Sequence, residues 1–82
     1  MITRDDIELA YSFFHQKQRI YQYSTLDWQK DDIEYAISSY VETMNPELYR
    51  LLSLNRPDYL LNHSTFPSEI TEAVAKLEEM LK

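Results

Sequence analysis

The chain has 82 residues, with 14 acidic against 8 basic side chains, a formal charge of −6, no glycine and no cysteine. Disulfide staples and thiolate chemistry are excluded outright. The scattered basic residues do not make a general phosphate grip, and phosphate cradles built on glycine have no residues to form them.

A chain of this length makes a single domain over residues 1–82. It buries only about 60–65% of its unfolded surface, so dimerisation is a natural way to enlarge the core. A single compact domain of this size has a radius of gyration near roughly 12 Å. The first six residues, Met1 to Asp6, lack the basic stretch and apolar run of a signal peptide. No apolar run approaches the ~20 residues of a membrane span. The expectation is a cytoplasmic protein with no membrane contact.

The first helix is predicted from about residue 4 to residue 22. Thr3 can cap it, with Asp6 three residues on as the capping-box acid. Asp5, Asp6 and Glu8 favour the positive end of its dipole. Ile7, Ala10, Tyr11, Phe14 and Tyr21 form one apolar stripe, and Leu9, Phe13 and Ile20 a second beside it. That is wider than one partner helix needs.

Residues 23–27 connect to a second helix capped by Asp27 or Thr25, with Asp31, Asp32 and Glu34 in its early turns. Its core face reads Ile33, Ala36, Ile37, Tyr40, Val41 and Met44. Trp28 is expected to close one end of the core. Asn45-Pro46 is a sharp start signal, asparagine for the cap and proline for the first helical position. The third helix runs from Pro46 to about Leu54 and is broken by Asn55-Arg56-Pro57, with a short turn through Tyr59, Leu60 and Leu61 after it. Residues 62–67 form a linker, and Pro67 or Ser68 opens the last helix. Ile70, Ala73, Val74, Leu77, Met80 and Leu81 make its continuous face, and Glu72 and Lys76 pair at i,i+4. The fold class is therefore all-α: a compact irregular or orthogonal bundle of three long helices plus a short, broken third segment.

Catalytic signatures are missing from this pattern. No serine sits in a nucleophile elbow, and the two histidines, His15 and His63, stand far apart with no second ligand at metal-site spacing. Helix-start acids account for Asp27, Asp31 and Asp32 without a cation. A helix-turn-helix reading offers only Arg50 and Arg56, opposed by Glu47 and Asp58. The expectation is no enzyme, no cofactor, no metal and no direct nucleic-acid contact.

What remains is a small soluble helical protein-interaction or accessory domain, with self-association as a homodimer among its modes. Two surfaces are candidates. One is a polar aromatic patch of Arg19, Gln22, Tyr23 and Trp28. The other is the last helix through Ile70, Val74, Leu77 and Leu81. The alternative is an acidic inhibitor or nucleic-acid mimic that occupies a basic site on another protein through Asp27, Asp31, Asp32 and Glu34, with a steep salt dependence.

Overall fold

A computed structural model describes residues 2–56 and 58–82. The described residues hold four helices and no strand: α1 (Arg4–Tyr23), α2 (Asp27–Thr43), α3 (Pro46–Ser53) and α4 (Phe66–Leu81). The all-α expectation holds. The radius of gyration is 12.0 Å. Pro57 lies outside the described residues, as does Met1, so the expected break at Asn55-Arg56-Pro57 is described only up to Arg56.

Local chemistry sets the helix starts. Thr3 Oγ1 accepts from the Asp6 amide and Asp6 Oδ2 accepts from the Thr3 amide, both at 3.1 Å, which completes the capping box. Asn45 does two jobs. Its Oδ1 accepts from the Glu47 amide at 2.9 Å and caps α3. Its Nδ2 donates to Asp6 Oδ2 at 3.0 Å and ties the start of α3 to the start of α1. Asp6 is held below the usual carboxylate range, first by the Thr3 backbone bond and then by Asn45.

Two starts differ from expectation. The cap of α2 is Leu26, with no side-chain bond, and Asp27 is already helical. Neither Asp27 nor Thr25 caps it; only the Leu26 carbonyl engages, accepting from Gln29 and Lys30. Helix α4 begins at Phe66, ahead of Pro67, and Phe66 is fully buried although the sequence placed it in a linker.

Helix α1 packs chiefly on α4 and also on α2, while α3 meets α4. Ala10 and Phe14 join Ile33, Ile37, Met44, Leu48, Leu52, Phe66, Ile70, Ala73, Val74 and Leu77 in one core. Full burial of such a leucine, isoleucine or phenylalanine contributes about 1.5–3 kcal/mol. Phe13 stacks on Tyr40 with centroids 4.5 Å apart at the edge of this core. The remainder of the second α1 stripe, Leu9 and Ile20, stays outside it.

Tyr59 is the deepest polar side chain. It is fully buried. Its hydroxyl donates to the Glu69 carbonyl at 3.1 Å, and Arg56 lies 4.6 Å over its ring. Burial, followed by the nearby Glu72, pushes the phenol well above its ordinary range, so it stays protonated.

Candidate interaction surface

The outer face of α1 carries the candidate site. The core line Ala10–Phe14–Tyr21 claims one side of the helix. At 100° per residue, Asp5, Glu8, Leu9, Ser12, His15, Gln16, Arg19, Ile20 and Tyr23 fall in one arc about 140° wide on the opposite side. All are exposed except the half-buried His15, and the apolar members stand well out: Leu9 is 65% exposed, Ile20 46% and Tyr23 79%.

This face has two open hollows. The one near the helix start holds about 410 Å³ and is walled by Asp5, Glu8, Leu9 and Ser12. The one at the helix end holds about 550 Å³ and is walled by His15, Gln16, Arg19, Ile20, Tyr23, Ser24 and Gln29. It exists because α1 ends without a left-handed turn. Ser24 leaves the helix extended, its Oγ donating to the Ile20 carbonyl at 2.7 Å, and the chain then swings to α2.

The two hollows differ in charge. The first carries carboxylates, with Glu8 also paired to Arg4 at 2.9 Å. The second carries Arg19 and no acid, and Arg19 has no ion-pair partner among the described residues. His15 stacks on Tyr11, with centroids 5.3 Å apart.

The structure splits the expected aromatic patch. Arg19 and Tyr23 share the hollow at the helix end, but Gln22 points elsewhere and lines a separate hollow with Gln18, Tyr21 and Lys30. Trp28 does not close the core. It is 61% exposed at the start of α2, because it lies about 180° around that helix from Ile37. The expected α4 surface is also occupied. Ile70, Val74 and Leu77 are buried inside the chain and Leu81 is half-buried, so the first three present no free apolar surface to a partner. Leu9, Ile20 and the acids at the start of α1 were missed as a surface. The second apolar stripe with Leu9 and Ile20 is legible as surface beyond what one partner helix needs, but the acids beside it read as dipole-favouring charges and not as part of one face.

The four acids of the alternative reading do not stand together in solvent. Asp27, Asp31 and Asp32 are exposed, but the Glu34 carboxylate is turned inward to His63, whose Nδ1 lies 2.8 Å from Oε2 and 3.0 Å from Oε1. One ligand atom each from Asp31, Glu34 and His63 lie within 4.8 Å of one another. The Tyr21 phenol beside them is raised, first by burial and then by the charges of Glu34 and Asp31.

No family model matches this chain, and no curated protein or solved structure matches it. No helix among the described residues is long and apolar enough to cross a membrane.

Proposed function

We propose that this protein is a self-association module, in which two copies pair through the outer faces of their α1 helices, running antiparallel. The supporting observation is that one helix face holds an acidic hollow at one end, a basic hollow at the other, and exposed apolar side chains in both. Such a face complements itself only when one copy is turned end for end, which is the two-fold arrangement of an isologous dimer.

With Leu9 set over the partner's Ile20, each Glu8 falls within side-chain reach of the other copy's Arg19. The apolar contacts supply the attraction, and the charges fix direction, because a parallel pairing would set acid on acid and base on base. Another hollow, lined by Ile2, Glu47, Arg50, Leu51, Leu54 and Asn55, also carries apolar side chains. It mixes both charges within one short stretch and so carries no directional preference.

The test is solution mass by sedimentation across a concentration series. The expected result is a reversible monomer–dimer equilibrium that weakens with added salt. Ile20→Asp and Arg19→Glu should each give a folded monomer with unchanged circular dichroism. The charge-exchanged double variant, Arg19→Glu with Glu8→Arg, should dimerise again, because the pair is restored with its signs reversed. A chain that stays monomeric at every concentration overturns the proposal. So does a dimer indifferent to both single variants, since its seam would then lie elsewhere.

A further inference from the structure

At one corner of the molecule α2 faces the segment before α4. Asp31 and Glu34 stand one turn apart on α2. His63 arrives from a different part of the chain, 29 residues beyond Glu34. Three potential ligand atoms, two carboxylate oxygens and one imidazole nitrogen, converge within 4.8 Å. They come from two elements, so the group is more than the ordinary acidic start of a helix.

We infer that Asp31, Glu34 and His63 form a binding site for a divalent transition-metal ion of the Zn²⁺ class. One imidazole with two carboxylates is a donor set that Zn²⁺ accepts, and three protein ligands leave further positions for water. Bonds of about 2.0–2.1 Å to zinc put ligand atoms roughly 3–3.5 Å apart. Glu34 and His63 are already near that spacing. Asp31 and His63 are exposed, so small side-chain rotations suffice to close the set. The charges nearby also suit a cation. Asp27 and Asp32 lie on the same stretch of α2. Lys30, the basic residue among them, has its ammonium 5.7 Å over the Tyr21 ring. Occupancy would fasten residues 62–65 to α2, two segments joined otherwise through a long stretch of chain. The ion would therefore bind the folded chain in preference to the unfolded one and raise its thermal midpoint.

The experiment is calorimetric titration of the full chain with Zn²⁺ alone in a non-chelating buffer, alongside nitrogen-detected NMR of the histidine rings. The expected result is saturable binding of one ion per chain, a shift at His63 Nδ1 and a higher melting midpoint. Even residues that only orient metal ligands cost about 10–100-fold in affinity when changed, so His63→Ala and Glu34→Gln should each weaken binding by at least about tenfold. Asp32→Asn, on the same helix but outside the set, removes only a neighbouring charge and should weaken binding far less than either ligand variant. His63 is exposed, so its variant keeps the fold, and circular dichroism checks this. Absence of saturable binding overturns the inference. Binding that survives His63→Ala does the same, because it would reflect a diffuse acidic surface.

Discussion

The two connections that flank the core are built in opposite ways. Residues 54–56 and 58–61 carry left-handed backbone and are heavily fastened. Residues 24–28 are relaxed and almost free of fastening. In the first, Leu54, Asn55, Asp58 and Leu60 all hold a left-handed backbone, with φ of 54°, 62°, 58° and 66°. That conformation costs an ordinary residue about 1–2 kcal/mol, and this chain has no glycine to relieve it.

A network offsets the cost. Tyr49 Oη donates to the Tyr59 carbonyl at 2.7 Å, and the Leu60 amide donates to Glu69 at 2.7 Å. Arg56 and Lys76 both grip Glu72, at 2.6 Å and 2.9 Å. Lys76 also donates to the Leu52 carbonyl, at 2.9 Å. By contrast, Ser24 and Leu26 have extended backbone, α2 has no side-chain cap, and Leu26 and Trp28 at its start are exposed. In the first connection Tyr59 and Leu60 are buried beside the exposed Leu54 and Leu61, whereas at the second both Leu26 and Trp28 face water. That contrast puts the buried anchors and ion pairs in residues 54–56 and 58–61 and leaves the start of α2 with two exposed apolar side chains.

The strongest challenge to this contrast is Tyr59→Ala. Removing a fully buried aromatic should cost about 3–5 kcal/mol by urea denaturation. Tyr59→Phe keeps the ring and loses the hydroxyl bonds, so about 1–2 kcal/mol is expected. Equal losses in the two variants would mean that the ring contributes little and that the loop is not anchored by packing.

Leu54→Gly should move the other way. Its side chain is exposed, so relief of the left-handed backbone outweighs the added chain entropy, and a gain of about 0.5–1 kcal/mol follows. Leu60→Gly at a similar φ should destabilise instead, because Leu60 is buried.

Acid should loosen the same loop by a smaller amount. Lys76 first, and then Arg56, hold Glu72 below its ordinary value of 4.5. Its contribution is therefore fully present above pH 4.5 and is lost as the pH falls through the lower folded value. Hydrogen exchange at Leu60 and Leu61 should speed up in that window before exchange in α1 does. Solvent screening of the half-exposed pair keeps the effect modest. Smallest of all, Trp28→Ala should change stability by no more than about 0.5 kcal/mol. A large loss there would return Trp28 to the core and remove the contrast.

What was legible in the sequence followed local rules. The Thr3–Asp6 box, the Asn45-Pro46 start, the α4 core face and the Glu72–Lys76 pair each depend on residues within four positions of one another, and each stands as expected. Trp28 goes against expectation: it is exposed and does not close the core, as its angle from Ile37 around α2 dictates. Other features were out of reach. That His63 meets Glu34, that Tyr59 reaches Glu69 and that Arg56 crosses to Glu72 all depend on how helices cross. Asn55 and Asp58 suit a left-handed backbone locally, but Leu54 and Leu60 go against the usual signal in a chain without glycine.

Asn45 also bears on chemical durability. Its amide cannot be turned over, since that would aim its NH₂ at the Glu47 amide and its oxygen at the Asp6 carboxylate. Spontaneous conversion to aspartate would have a similar effect on the Asp6 side, replacing a donor with a second negative charge. That ageing reaction ordinarily proceeds by attack of the next residue's backbone nitrogen on the side-chain carbonyl. The next residue is Pro46, whose nitrogen carries no hydrogen. The residue that starts the third helix so cleanly therefore also shields the asparagine joining it to the first from slow decay over the protein's lifetime.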